Sequence, residues 1–356
     1  MKQMNGVRNV VAALALILST GAHAQALSPA EKIYADLAKL KGAEREAKLL
    51  EGAKREGALR IASTLRGELT RDEMAMFSKR YPTIKVEVTD MGSQDAAERL
   101  IAEETAGRHL TDVVELSIAD MREVLAKNLQ ARYPTPATDA ILPQNRKSID
   151  PQNRWVPFSS SEFGIVYNTN LMKAEDAPKS WDDVCNPKYK GITATDAFSN
   201  RFLFGAYTMM GDAKFEQWMS CLGQNKPIIQ KGYSQRLQLM LAGDHALSPD
   251  QYFYLGAGMK KRDPRVPFGM VTSAPALVSY LSVVINPNTP NPHAAALFAD
   301  FHLMDEFQAY LAAAPRGPIA HKSPYLPEDT PIVAYGFGTD AEYDKILGYW
   351  KKYIQP

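Results

Sequence analysis

The chain has 356 residues and 45% hydrophobic content, enough material for two globular domains. Its 41 Lys and Arg residues nearly cancel its 40 Asp and Glu residues, leaving a formal net charge of +1. That balance argues against nucleic acid or an acidic membrane surface as the main partner, since either needs a concentrated basic face.

The first stretch reads as an address. Lys2 and Arg8 precede the apolar run Val10 to Leu18, and Ala22-His23-Ala24 follows as a small-residue cleavage signal. The run is too short to cross a bilayer as a helix. The pattern predicts a signal peptide over residues 1–24 and a mature chain exported by a bacterium. Cys185 and Cys221 are the only cysteines, and both belong to the exported part. An oxidising compartment favours a disulfide between them, with two buried free thiols as the alternative.

Ser28-Pro29-Ala30-Glu31 combines an N-cap, a proline at the first helical position and a glutamate three residues after the cap. A helix follows to about Leu40, and a second runs to about Arg55 before Gly57. Three strand-helix units come next, with strands at Leu59–Ser63, Ile84–Val88 and Asp112–Ser117. Thr70-Arg71-Asp72-Glu73 reads as a capping box, and a further helix covers about Ala96 to Ala106. Alternation at this spacing predicts an α/β fold with a mostly parallel sheet covered by helices.

Trp155 to Leu171 stands apart. Two strand-like runs enclose Ser159, Ser160, Ser161 and Glu162, and Asn168-Thr169-Asn170 closes the stretch as a turn. The polar middle predicts a strand that leaves one domain, crosses a solvent-lined gap and enters another. Beyond it, Pro178 to Asp183 opens a helix, Gly191–Ala194 and Pro227–Gln230 read as strands, and Phe215–Leu222 and Ser234–Leu241 as helices. Val266–Val271 and Val278–Ile285 carry the chain back. Pro292–Leu303, Asp305–Ala314 and Glu342–Tyr353 are the last helices.

In open sheets of this kind, ligands bind beyond the carboxyl ends of the strands. Those ends are Ser63-Thr64, Asp90 to Ser93, and Ser117, two of which lead into helix N-termini that attract anions. Ser63, Thr64, Asp90, Ser93 and Ser117 are therefore candidate ligand residues, together with Ser160, Ser161 and Glu162 of the crossing stretch. Arg201, Lys231 and Tyr233, on predicted loops of the second domain, complete the reading; a guanidinium facing a carboxylate or phosphonate is the sharper account of Arg201. Arg236 belongs to the same predicted cluster.

The order of Tyr81–Val88 (YPTIKVEV), Ala106–Ser117 (AGRHLTDVVELS), Trp155–Met172 (WVPFSSSEFGIVYNTNLM), Ser180–Gly191 (SWDDVCNPKYKG) and Asn291–Ala313 (NPHAAALFADFHLMDEFQAYLAA) resembles the extracellular solute-binding proteins of bacterial ABC importers, in the ferric-iron-type branch. The resemblance runs from about Leu59 to Leu311. It implies the type II two-lobe periplasmic binding protein fold, each lobe a mostly parallel sheet covered by helices, joined by crossing hinge strands that close on ligand. The expected division is 25–160 plus 270–320 for the first lobe and 161–269 for the second, with a helical segment over 321–356. Iron-binding members carry two adjacent tyrosines late in the second lobe. Here the corresponding place is Asp250-Gln251-Tyr252-Phe253-Tyr254, where Phe253 interrupts the pair, so Tyr252 and Tyr254 are kept as ligand candidates while ferric iron becomes the alternative. Thr64 and Leu65 stand where some members place a His or Tyr ligand.

No G-x-S-x-G elbow, Walker loop or three-glycine nucleotide fingerprint occurs, and the six histidines form no H-x-x-x-H pair. Gly256-Ala257-Gly258 reads as a turn. An exported enzyme using the same cleft is the competing class, but the candidate residues pair no nucleophile with a base. The expectation is a periplasmic, monomeric binding protein without a cofactor or resident metal. It would capture a small anionic or zwitterionic solute for a membrane permease.

Overall fold

The Ser28 hydroxyl accepts the Glu31 N–H while the Glu31 carboxylate takes the Ser28 N–H, closing a capping box at the start of α1 (Pro29–Leu37). The computed structural model describes residues 26–314 and 316–355, so the leader read over residues 1–24 lies outside the described residues. α2 (Gly42–Glu56) ends at Gly57, whose φ of 68° is a left-handed cap.

The next units are β1 (Ala58–Ser63), α3 (Glu68–Arg80), β2 (Lys85–Asp90), α4 (Ser93–Thr105), β3 (Val113–Ser117) and α5 (Arg122–Ala126). α3 begins at Glu68, so Thr70 is not its cap; Thr70 and Glu73 are buried inside the helix instead. Then come β4 (Val156–Asn168), β5 (Ala194–Thr195), α6 (Asn200–Met210), α7 (Asp212–Gln224), β6 (Ile228–Ile229), α8 (Tyr233–Ala242), β7 (Leu247–Tyr252) and α9 (Phe253–Arg262). β8 (Phe268–Met270), β9 (Ala276–Ile285), α10 (Pro292–Phe301), α11 (Asp305–Ala313), β10 (Gly317–Pro318), β11 (Ile332–Ala334) and α12 (Asp340–Tyr353) complete the chain. The helix read from Pro178 to Asp183 is replaced by short 3₁₀ turns. Gly256-Ala257-Gly258 is not a turn: it lies within α9, where the missing side chain of Gly256 makes room for the Phe268 ring.

One mixed sheet of nine strands serves both lobes, in the order β10-β4-β9-β3-β1-β2, with β7 and β8 also on β4 and β11 also on β9. β1 runs parallel to β2 and β3, whereas β9 is antiparallel to β3 and to β4. The sheet departs from two mostly parallel sheets because β4 is long. At about 3.3 Å per residue its 13 residues reach across both lobes.

Two cores show where the crossing lies. The first gathers Leu59, Phe77, Phe158, Tyr280, Phe298 and Phe307. The second gathers Phe163, Trp181, Phe202, Trp218, Leu277 and Trp350. Between Phe158 and Phe163 β4 passes from one core to the other, and β9 does so between Val278 and Leu277. Ser160 pairs with Tyr280, Ser161 with Ser279 and Glu162 with Val278, so the return strand crosses near Val278 rather than at Val266–Val271. The polar middle of β4 is buried, not bare: Ser159 to Glu162 are all under 7% exposed. Trp350 of α12 belongs to the second core, where Cys185 and Cys221 form a disulfide that ties a 3₁₀ turn to α7.

Candidate functional site

The carboxyl ends of β1 and β3 and the N-terminus of α4 face the second lobe across a cleft of about 240 Å³. From the first lobe it is lined by Thr64, Arg66, Gly92, Ser93 and Ser117. Ser161 of β4 and Leu281 of β9 supply the middle, and Arg316, just before β10, enters beside them. The second lobe contributes Arg201 from the first turn of α6, Tyr233 from the first turn of α8, and both Tyr252 and Tyr254.

The two tyrosines share the cleft across a change from strand to helix: Tyr252 ends β7 and Phe253 begins α9. Phe253 turns inward and packs where a side chain on Gly164 would stand, while the Tyr252 and Tyr254 rings lie 5.2 Å apart. The interruption by Phe253 therefore does not separate the pair.

Five candidates from the sequence do not line the cleft. Ser63 is fully buried and donates to Glu115 at 2.9 Å. Asp90 is turned to the β1–α3 loop, where it accepts the Gly67 N–H at 2.6 Å. Ser160 and Glu162 alternate with Ser161 and so face the opposite side of β4. There they line a separate cavity of about 390 Å³ and bond to each other, with Tyr325 also donating to Glu162. Lys231 is exposed on the loop before α8. Arg66, Gly92, Leu281 and Arg316 line the cleft without being candidates from the sequence. Arg66 and Gly92 follow the ends of β1 and β2, where the strand-end rule could have found them; Arg316 carries no such signal.

The lining holds three arginines and no carboxylate. Arg201 Nη2 donates to Asp120 Oδ2 at 2.8 Å and Nη1 to the Tyr252 hydroxyl at 3.4 Å. Burial works to lower its pKa, but Tyr252 and Asp120 hold it above the usual arginine value. Burial in turn raises the pKa of Tyr252 and of Tyr233, so both phenols keep their protons and serve as donors. The Arg316 guanidinium lies 4.3 Å from the Tyr254 ring centre, and its Nη2 donates to the Leu65 carbonyl at 3.3 Å. Arg316 Nε and Thr64 Oγ1 are buried without a hydrogen-bond partner among the described residues. Unpartnered buried polar atoms are uncommon in folded proteins, and both of these belong to cleft-lining residues.

Two buried networks hold the walls. In the first lobe, Glu115 takes the Ser63 hydroxyl and the Thr64 N–H, and His302 Nε2 stands 2.6 Å from Glu73 and 3.3 Å from Glu115. Burial opposes the charged form of His302, yet hydrogen bonds to Glu115 and Glu73 push its pKa up to about 9. His302 Nδ1 lies 2.7 Å from the Phe298 carbonyl, and the ligand atoms of Glu73, Glu115 and His302 lie within 4.8 Å of one another in a fully buried cluster. In the second lobe the fully buried Arg236 donates to Asp196 at 2.9 Å and to the Asp250 carbonyl at 2.8 Å. It is a strut beneath Tyr233 and not a ligand residue, its guanidinium lying 5.1 Å from that ring.

Residues 120–337 match the family model described as bacterial extracellular solute-binding protein. The chain belongs to that family, whose members deliver ligand to ABC permeases. Solved structures share its fold at low identity. Iron-bound HitA from Pseudomonas aeruginosa is 16% identical with a TM-score of 0.67, the alignment covering 83% of this chain and 98% of that one. AfuA from Actinobacillus pleuropneumoniae, solved with exogenous fructose-6-phosphate, is 20% identical with a TM-score of 0.68, covering 84% and 99%. The spermidine/putrescine transporter protein PotD from Streptococcus pneumoniae is 17% identical with a TM-score of 0.65, covering 83% and 98%.

Proposed function

We propose that the protein captures a small anionic solute in the interlobe cleft, outside the cytoplasm in the periplasm, and hands it to the membrane permease of an ABC importer as a binding protein and not an enzyme. One observation carries the ligand class: Arg66, Arg201 and Arg316 line the cleft without a carboxylate among the lining residues. A zwitterionic solute would need a carboxylate to meet its amine, and the two candidate carboxylates, Asp90 and Glu162, point elsewhere. Closure would occur about the crossing strands near Ser160–Glu162 and Val278, bringing Arg201 and the tyrosines onto a ligand seated against Thr64 and Ser93.

Ferric iron, as cargo, is the second reading, because Tyr252 and Tyr254 both reach the cleft. A thermal-shift screen of the mature protein separates the two. Small organic anions should raise the melting temperature, since a ligand that binds only the folded state stabilises it. Arg201→Ala should weaken binding about tenfold or more, a charge-assisted contact contributing roughly 1.5–3 kcal/mol. A ferric complex with a tyrosinate-to-iron absorption band, lost in Tyr252→Phe or Tyr254→Phe, would overturn the anion assignment.

A further inference from the structure

The cleft supplies more donors than a carboxylate can use, and they arrive from different sides. Thr64 Oγ1 comes from the β1 end, Arg316 from the hinge side and Arg201 from the opposite lobe. α4 points its first turn at the same space, and its N-cap Gly92 offers no capping side chain. Asp95 stands in that first turn and its charge offsets part of the helix dipole, so the guanidinia carry the attraction.

The charges are not equal. Arg201 is paired with Asp120 at 2.8 Å. Arg66 lies 3.9 Å from Asp90 with its side chain 65% exposed, a weak and screened contact. Arg316 is 9% exposed, lies against the Tyr254 ring and donates to the Leu65 carbonyl, and among the described residues it has no ion-pair partner and its Nε no hydrogen-bond partner. After Asp120 cancels Arg201, two guanidinia remain substantially uncompensated. From this, and resting on the anionic reading above, we infer that the solute presents a doubly charged tetrahedral head group, a phosphate monoester or phosphonate, seated between Thr64, Arg316 and Arg201 with Arg66 supplying the second uncompensated charge at its edge. Three phosphoryl oxygens match donors converging from three sides, whereas the two oxygens of a carboxylate lie in one plane.

Isothermal titration of the mature protein with glycerol 3-phosphate, glycerol 3-sulfate and glycerate tests the inference. The three share a small polyol body and present a tetrahedral dianion, a tetrahedral monoanion and a planar monoanion. The phosphate should bind about tenfold or more tightly than the sulfate, and glycerate more weakly still. Arg316→Gln should erase most of the preference for phosphate over sulfate. The exposed Arg66→Gln is the second variant, cannot be blamed on misfolding, and should reduce the same preference. Glycerate binding as tightly as the phosphate overturns the head-group inference while leaving an anion site, and so does failure of the phosphate to bind at millimolar concentration. If none of the three binds and ferric iron does, with a tyrosinate-to-iron absorption band, the anionic reading itself falls.

Discussion

Arg201 Nη2 lies 2.8 Å from Asp120 Oδ2, and the two side chains come from opposite lobes: Arg201 opens α6, Asp120 follows β3. This cleft-lining guanidinium is therefore also a tie across the cleft. A second pair, Arg122 with Asp340, joins the lobes at the neighbouring edge. These pairs reward closure only modestly, because the Arg201 and Asp120 side chains keep 35% and 20% of their exposure.

The first prediction follows. Asp120→Asn combined with Arg122→Ala should enlarge the radius of gyration of ligand-free protein in small-angle scattering, by releasing both interlobe ties. The melting temperature should move little, since partly exposed pairs are worth roughly 1 kcal/mol or less. An unchanged radius together with a large loss of stability would show that the pairs support the fold and not the interlobe geometry.

The disulfide yields the second prediction. Cys185 and Cys221 are separated by 36 residues, with their Cα atoms 5.3 Å apart. Closing a loop of that length restricts the unfolded chain by ~4 kcal/mol in the entropic account. Reduction, or the double substitution to serine, should lower the denaturation midpoint of the second lobe clearly while leaving anion affinity within about twofold of wild type, because the bridge sits outside the cleft. Thiol blocking without reductant, followed by mass spectrometry, checks that the exported protein carries the bond.

How much of this is legible in the sequence depends on what each residue's role requires. Strand ends at Thr64, Ser93 and Ser117 can be found because the cleft of an α/β protein lies at the carboxyl ends of its strands, a property of chain order. Ser160, Ser161 and Glu162 read as one polar group, yet only Ser161 faces the cleft. Strand alternation separates them, but which of the two faces meets the ligand depends on pairing with β9 and β10, both distant in the chain. Arg316 is invisible for the same reason: nothing local distinguishes it, and only β10 pairing with β4 brings it to the cleft. Tyr252 and Tyr254 show the limit of motif matching: Phe253 breaks the adjacency of the pair in sequence, but both rings still reach the cleft across the change from β7 to α9. α6 reads as a loop although Ser199 caps it, its start being short of the usual acidic first turn.

The third prediction concerns Arg236. It is fully buried between Asp196 and Asp250, and burial raises the Asp250 pKa to about 6 even with Arg236 pulling it down. Removing the cation strands two buried carboxyl groups, at a cost of roughly 3–5 kcal/mol. Arg236→Met should therefore destabilise far more than Arg201→Ala, by chemical denaturation at neutral pH. The deficit should shrink toward acid, where Asp250 takes up a proton and the stranded charge disappears. A variant as stable as wild type at neutral pH would remove Arg236 from the framework of the cleft wall.

The last prediction is a pH dependence set by His302. Its pKa in the fold is pushed up to about 9 from an ordinary 6.5 by Glu115 and Glu73, against the opposing effect of burial. A base whose folded pKa is raised contributes stability that is complete below its unfolded value and is lost as pH rises through the folded one. Stability should accordingly fall between about pH 6.5 and 9, a tenfold difference in proton affinity between folded and unfolded chain being worth about 1.4 kcal/mol. Glu73 acts in the same direction, because burial and the neighbouring Glu115 raise its pKa well above the usual carboxyl value. Glu115 acts on the acid side only: burial opposes its charge, but His302, Glu73 and the Thr64 N–H hold its pKa below the usual value, so its contribution is lost as pH falls. Urea denaturation across the window should show the decline in wild type and a flatter profile in His302→Gln, which keeps a donor but cannot charge. Because Glu115 also takes the Thr64 N–H at 3.0 Å, the alkaline loss should be accompanied by weaker anion binding in wild type. A profile flat from pH 6.5 to 9, with affinity unchanged, would mean that His302 is neutral in the fold and that the network does not set the Thr64 wall.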